Sequence, residues 1–215
     1  MVNEEKFKEI SKSFSTKNVK LIAVSKLKPS SDITVLYNLG HRDFGENYVQ
    51  ELVDKAAQLP NDIRWHFIGH LQSNKVKYIA PFVHLIQGVD SEKLLTEINK
   101  QGAKNNKIIN VLLQVHIAAE DTKFGFNETE LMNVDIKNYT NVKIIGLMGM
   151  ASFTENINQV KQEFENLKSL FEKVKKEKCL DLTTLSMGMS NDYELAISCG
   201  SNMVRIGSLL FGNRI

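Results

Sequence analysis

The chain has few cysteines, no long apolar run and almost no net charge, and each shortage excludes a class of protein. Its two cysteines, Cys179 and Cys199, form no CxxC pair, so we expect no disulfide framework. No apolar run is long enough to cross a bilayer. The polar, acidic start at residues 1–6 does not resemble a signal peptide. These features predict a protein of a reducing compartment, the cytoplasm.

The balance of charge and the missing motifs narrow the functions further. The 27 basic and 25 acidic residues are well mixed and leave a net charge of +2, which favours neither a nucleic-acid nor a membrane partner. No P-loop is present, and no GxGxxG follows a strand. His66 and His70 would lie about 13 Å apart on a strand, at roughly 3.3 Å per residue, so they cannot share a metal. His41, His84 and His116 have no second histidine at a spacing in the sequence that indicates a shared metal, and they are typical of structural histidines.

Apolar runs alternate with helical patterns from end to end. We expect strands at 20–25, 43–46, 65–69, 83–89, 108–117, 142–150, 182–188 and 203–206. Val, Ile and Leu occupy both faces of these runs, as in parallel strands joined by crossover helices. Eight such units in about 200 residues predict one (β/α)8 TIM barrel domain spanning residues 1–215. An open doubly wound sheet is the alternative, although no strand has the pattern of a solvated edge.

Capping pairs and one apolar stripe predict the positions of three helices. Asn47 with Gln50, and Asn191 with Glu194, have the spacing of N-terminal capping pairs. An additional helix precedes the first strand and carries three apolar residues on one stripe: Phe7, Ile10 and Phe14. Because little chain remains after the eighth strand, we expect this N-terminal helix to cover the gap that an eighth helix would fill.

Lys26 stands at the end of the first strand, and strand ends form the working face of a parallel barrel. A lysine is a nucleophile only when its amine is neutral, and burial or nearby positive charge favours that state. Such an amine can form an imine with an aldehyde. A surface lysine beside a turn is the plainer interpretation. Lys28 has the same parity, but it directly precedes Pro29 and is more typical of a loop.

Two later segments have the composition of a phosphate site. Ser190 lies where the seventh strand passes into a helix, and Gly207 with Ser208 repeats that arrangement after the eighth strand. Phosphate sites recur at these two places in this barrel, where backbone N–H groups at a helix start suit an anion. Alternatively, Ser190 and Asn191 only cap the helix. With Lys26 and Arg205 nearby, the pattern suits a phosphorylated aldehyde.

Six blocks of sequence carry a resemblance to a known family. They are AVSKLKP at 23–29, FGENYVQE at 44–51, WHFIGHLQSNK at 65–75, GLMGM at 146–150, LSMGMSNDYELAI at 185–197 and VRIGSLLFG at 204–212. In this order they closely resemble the YggS/PROSC family of pyridoxal phosphate homeostasis proteins. That family is similar in fold to the barrel domain of bacterial alanine racemase.

The resemblance implies how the ring of pyridoxal 5′-phosphate would be held. Lys26 would form a reversible Schiff base with the cofactor, Arg205 would face the pyridine nitrogen, and Asn47 would lie beside the ring. Arginine can donate a hydrogen bond but cannot accept the proton of a ring N–H. Arg205 would therefore keep the ring nitrogen neutral and weaken the cofactor as an electron sink.

The resemblance also implies that Ser190, Gly207 and Ser208 hold the phosphate. Two places depart from the family pattern. Gly149 with Met150 is expected to loosen the wall of the site slightly. The loop 119–126 keeps a lysine and a glycine of the family but varies otherwise, and we assign it no role.

The implied function is storage and delivery of the cofactor with little or no catalysis. Related racemases take a catalytic tyrosine from a second domain, which a chain ending at Ile215 is expected to lack. The resemblance thus implies a monomer, active in pyridoxal phosphate homeostasis, that hands its cofactor to apo-enzymes and needs no metal. Two alternatives stay open. One is an amino-acid racemase completed by Tyr48 or by a partner, and the other is a class I aldolase.

Overall fold

A closed barrel of eight parallel strands forms the centre of the protein. The structure is a computed structural model that describes residues 2–118 and 124–212. The strands are β1 Lys20–Val24, β2 Asp43–Glu46, β3 Arg64–Phe67, β4 Leu85–Val89, β5 Ile109–Val115, β6 Val142–Gly149, β7 Thr184–Ser186 and β8 Met203–Ile206. The predicted TIM barrel is confirmed, and the open sheet is excluded because β1 pairs with both β2 and β8.

Helices surround the barrel and connect successive strands. Within the described ranges they are α1 Glu4–Lys17, α2 Ser30–Asn38, α3 Val49–Gln58, α4 Val76–Ile79, α5 Glu92–Lys104, α6 Glu128–Asn133, α7 Ile157–Glu177, α8 Tyr193–Ser198 and α9 Ser208–Phe211. Short 3-10 turns lie at Ser73–Lys75 and Ile136–Asn138. None of these helices combines the length and apolar character that a membrane span requires.

Helix α1 occupies the space beside the short α9, as the sequence analysis expected. Its apolar stripe is buried, and the backbone N–H of Asn3, its N-cap residue, donates to the carbonyl of Leu210 at 2.7 Å. The ring of Phe14 packs edge-on against Tyr193 of α8 with 5.7 Å between centroids. Since α9 is only four residues long, α1 covers the side of the barrel that a full-length last helix would otherwise cover.

The inside of the barrel is unusually polar. An apolar cluster fills part of it: Ile22, Leu85, Leu112, Met148 and Met203. Four buried polar side chains lie beside this cluster and belong to four different strands: His66, Gln87, Ser186 and Arg205. Barrels of this kind are usually filled by layers of branched apolar residues. The polar groups therefore need hydrogen-bond partners within the barrel. They bond to one another, and His66 also bonds to Asp43.

Candidate functional site

A cavity of about 1280 Å³ opens at the carboxyl ends of the strands. All six residues predicted to bind the cofactor line it: Lys26, Asn47, Ser190, Arg205, Gly207 and Ser208. They follow or end strands β1, β2, β7 and β8, which are neighbours around the barrel. Lys28 lines the same cavity, so position alone does not separate it from Lys26. The fold thus brings together residues that are up to 182 positions apart in sequence.

Lys26 sits in a tight turn directly after β1. The N–H of Lys28 donates to the carbonyl of Ser25 at 3.1 Å and closes the turn. Leu27 adopts φ +60°, in the left-handed region that non-glycine residues rarely occupy. A strained residue of this kind persists only where its surroundings hold it. The turn therefore fixes the backbone from which the half-buried Lys26 side chain enters the cavity.

A buried network of charged side chains stabilises this turn. The Lys55 Nζ donates to Glu46 Oε1 at 2.8 Å and to Glu51 Oε1 at 2.7 Å. It also donates to the carbonyl of Ser25 at 2.8 Å. The Ser25 hydroxyl donates to Glu46 Oε1 at 2.6 Å, and the Leu27 N–H donates to Glu51 Oε1 at 2.6 Å. Strand β2 and helix α3 thereby clamp the turn that carries Lys26.

The carboxylate of Glu46 is the most enclosed member of this network. Its side chain is fully buried, and burial raises its pKa while Lys55 and Ser25 oppose the rise. Sequence reasoning missed this network. Two signals for it were present: Glu46 and Glu51 lie in the FGENYVQE block, and Lys55 follows Glu51 at the helical i,i+4 spacing.

Ser190 and Gly207 lie against each other at the other side of the cavity. The N–H of Gly207 donates to the Ser190 hydroxyl oxygen at 3.3 Å. The predicted capping role of Ser190 and Asn191 is wrong, because α8 begins one residue later with Asp192 as its N-cap. The Asp192 carboxylate accepts instead from the Met189 N–H at 2.6 Å. The segment after β7 therefore turns back toward β8 before α8 starts.

Asn47 does not cap α3 either. That helix has Tyr48 as its N-cap residue and shows no side-chain capping bond, so the predicted Asn47–Gln50 capping pair is wrong. The Asn47 Oδ1 is buried and has no hydrogen-bond partner within the described part of the chain. A buried acceptor without a partner is costly. A side chain in this state beside a cavity is suited to a ligand that supplies the missing donor.

Arg205 extends from β8 into the base of the cavity. It is 4% exposed; its Nη1 donates to Ser186 Oγ at 2.6 Å and its Nη2 to the Gly149 carbonyl at 3.0 Å. Burial lowers its pKa to about 10, and the nearby Asp192 partly opposes that change. The guanidinium thus keeps its charge at neutral pH and acts only as a donor.

Gly149 does not loosen the cavity wall, contrary to the sequence expectation. A side chain at this position would meet Leu167 of α7 at 2.6 Å and Ile117 at 2.9 Å, so the position faces the packed helix layer. Its carbonyl contacts Arg205 instead.

Of the loop 119–126, residues 119–123 lie outside the described residues.

The opposite end of the barrel holds a second polar group. The Arg64 guanidinium and His66 both donate to the Asp43 carboxylate, and the His84 ring lies 5.3 Å from that of His66. Burial opposes ionisation of Asp43, but the bonds from Arg64 and His66 outweigh it and hold its pKa well below the usual range. His70 contacts Asp90 at 2.7 Å instead.

Comparison with known proteins places this site in a family. Residues 4–214 match the family described as alanine racemase, N-terminal domain. The pyridoxal phosphate homeostasis protein of Pasteurella multocida is 43% identical over 202 residues, covering 91% of this chain and 87% of that protein. The one from Aquifex aeolicus is 42% identical over 200 residues, with the same coverage. The chain belongs to the pyridoxal phosphate homeostasis protein family.

Comparison with solved structures shows that the barrel fold is shared with known proteins. The structure of PipY from Synechococcus elongatus with PLP bound has a TM-score of 0.84 and 33% sequence identity to this chain. The match covers 91% of this chain and 93% of the PipY chain. Alanine racemase from Bartonella henselae has a TM-score of 0.72 at 15% identity. The match covers 97% of this chain and 59% of that racemase chain, and it shows a shared barrel fold alone.

Proposed function

We propose that the chain binds pyridoxal 5′-phosphate reversibly in the cavity at the carboxyl end of its barrel and takes part in pyridoxal phosphate homeostasis. One observation carries the proposal: the six residues that the family resemblance singles out all line one cavity. The buried Asn47 Oδ1, which has no hydrogen-bond partner among residues 2–118 and 124–212, fits a bound group that donates a hydrogen bond. Membership in the family and the PLP-bound PipY structure support the same ligand.

Each residue then has a distinct task. Bound pyridoxal phosphate supplies an aldehyde, which condenses with a primary amine to a C=N bond while the carbonyl oxygen leaves as water. Lys26 supplies the neutral amine from its clamped turn. Ser190, Gly207 and Ser208 bind the phosphate with hydroxyl and backbone N–H donors, and Asn47 lies beside the ring. Because addition of water reverses the condensation, the chain can release its cargo.

Arg205 favours storage over catalysis. As a permanent donor aimed at the ring nitrogen, it leaves that nitrogen unprotonated, and an unprotonated ring withdraws electrons weakly. We therefore propose that the chain has little or no activity on amino acids. Its cargo would pass to apo-enzymes that depend on pyridoxal phosphate. In this proposal residues 1–215 act as one domain and as a monomer in the cytoplasm, where the two free cysteines would stay reduced.

Paired lysine variants test the proposal. The purified protein incubated with pyridoxal phosphate should gain the visible absorption of a Schiff base and lose it on borohydride reduction. Lys26→Ala should abolish this absorption, whereas Lys28→Ala should retain it, since both lysines line the cavity but only Lys26 is assigned to the bond. An unchanged spectrum in Lys26→Ala would overturn the assignment. Mixing the loaded protein with an apo-enzyme, and following the recovery of that enzyme's activity, measures delivery.

A further inference from the structure

A continuous row of hydrogen bonds crosses the barrel from Arg205 to its opposite end. Arg205 Nη1 contacts Ser186 Oγ at 2.6 Å, and Ser186 Oγ contacts Gln87 Oε1 at 2.7 Å. Gln87 Nε2 contacts His66 Nδ1 at 3.2 Å, and His66 Nε2 contacts Asp43 Oδ1 at 3.0 Å. These residues come from β8, β7, β4, β3 and β2, so the row bridges the inside of the barrel rather than following one strand.

Burial lowers the pKa of His66 and favours its neutral ring. With His66 neutral, the two ends of the row determine the direction of every bond in it. The guanidinium of Arg205 can only donate, so Ser186 Oγ accepts and its own proton is available for Gln87 Oε1. At the other end the Asp43 carboxylate, which Arg64 also holds, can only accept. His66 therefore donates from Nε2 and accepts at Nδ1 from the Gln87 amide. All donors then point from Arg205 toward Asp43.

This direction explains how a cation is tolerated in the barrel. Arg205 is almost fully buried, and within residues 2–118 and 124–212 it makes no ion pair, although the charge of Asp192 lies near enough to favour the guanidinium cation. Bonds that point the same way polarise one another and strengthen each acceptor. Ser186, backed by the row, is thus a better acceptor than an isolated hydroxyl. With the Gly149 carbonyl it fixes two nitrogens of the guanidinium and so its plane.

We propose that Ser186, Gln87 and His66 are positioning residues that hold Arg205 as a donor in the cavity, with His66 kept as the neutral Nε2–H tautomer. The proposal deepens the proposed function, since it gives Arg205 its orientation toward the ring nitrogen. None of the three needs to touch the cofactor. The row predicts that a change deep in the barrel alters the ring environment at its mouth.

The first test needs no cofactor and therefore stands apart from the proposed function. Nitrogen-15 NMR of the imidazole rings in the unloaded protein should show His66 neutral and protonated at Nε2 from mildly acidic to mildly basic pH. The Arg205 Nη protons should exchange slowly with water. A His66 ring protonated at Nδ1, or charged on both nitrogens, would overturn the proposed direction of the bonds.

Two buried serines supply a matched pair for the second test. Ser186→Ala removes the acceptor of Arg205 Nη1. Ser201→Ala removes a buried hydroxyl that lies within hydrogen-bond distance of the carbonyls of Leu185, Met187 and Met203 and has no bond to Arg205. Ser186→Ala should speed exchange of the Arg205 Nη protons and shift the absorption maximum of the loaded protein. Gln87→Leu should do the same from one step farther away.

Ser201→Ala should retain both wild-type signals even if it lowers the melting temperature. Equal effects of Ser186→Ala and Ser201→Ala would reduce the row to an ordinary part of the core and overturn the proposal. If the wild-type protein binds no pyridoxal phosphate, the proposed function fails, while the His66 tautomer and the Arg205 exchange rates still decide on the row.

Discussion

At the scale of single residues, the chemistry of the site depends on which group faces the ring nitrogen. Arg205 is buried, charged and held by two acceptors, Ser186 and Gly149. A carboxylate at the same place would support a protonated ring and a strong electron sink. Under the proposed function, Arg205 thus favours storage of the cofactor over catalysis.

Replacing Arg205 tests this difference. Arg205→Glu should favour protonation of the ring and raise the rate at which an added amino acid exchanges its α-hydrogen for solvent deuterium. Arg205→Gln is the matched control, because it removes the charge without supplying a carboxylate, and it should leave exchange slow. Proton NMR of alanine in deuterated buffer measures the rate. No increase in Arg205→Glu, with cofactor binding intact, would contradict the argument about the electron sink.

At the scale of elements, the conformation of the turn that carries Lys26 depends on its neighbours more than on its own sequence. The segment after β1 contains a left-handed Leu27, and helix α3 holds it through Lys55 and Glu51. The lysine and both carboxylates are buried or nearly so. Breaking such a group by removing one partner costs about 3–5 kcal/mol, because a buried charge is left unpaired.

Lys55→Met should therefore destabilise the protein and weaken pyridoxal phosphate binding together. Burial already raises the pKa of Glu46, and loss of Lys55 would raise it further. A carboxyl group with a raised folded-state pKa favours the folded state at low pH, so the variant should lose stability as the pH rises through that pKa. Urea unfolding between mildly acidic and neutral pH measures this dependence.

Two further variants control that experiment. Adding Glu46→Gln to Lys55→Met removes the unpaired carboxylate and should recover much of the stability and flatten its dependence on pH. Lys104→Met changes an exposed lysine and should behave like the wild type. A Lys55→Met protein as stable at neutral pH as at acidic pH would show that the clamp contributes little.

Sequence patterns predicted the helices and strands well because these elements depend on local and periodic signals. All eight strands lie within the predicted segments or within one residue of them, and the α1 stripe is buried as expected. The capping roles of Asn47 and Asn191 were wrong, since the N-cap residues of α3 and α8 are Tyr48 and Asp192, one position later in each case. Contacts such as Gln87 with Ser186 join residues 99 positions apart, and no local pattern reveals them.

At the scale of the whole molecule, α1 completes the layer of helices around the barrel. Phe14 is 3% exposed and packs against Tyr193 of α8, and the N-cap residue of α1, Asn3, donates its N–H to the carbonyl of Leu210 in α9. Because Gly207 and Ser208 immediately precede or begin α9, the packing of α1 supports the part of the cavity that these two residues line. We therefore expect changes in α1 to affect both stability and cofactor affinity.

Phe14→Ala should lower the free energy of unfolding by about 3–5 kcal/mol, the usual cost of truncating a buried phenylalanine. The affinity for pyridoxal phosphate should fall as well, because Tyr193, which lines the cavity, loses the ring packed against it. Ser15→Ala, on the exposed face of the same helix, should change neither quantity. Denaturant unfolding and a spectrophotometric titration measure the two effects. A destabilised variant with unchanged affinity would separate α1 from the cavity.

The most direct measurement of the central claim is mass spectrometry of the protein after incubation with pyridoxal phosphate and reduction with borohydride. Reduction makes the bond to the amine permanent, so the modified peptide identifies the lysine. The account predicts one added pyridoxyl phosphate group, located on Lys26. A label on Lys28, a spread over many surface lysines, or no label at all would contradict it.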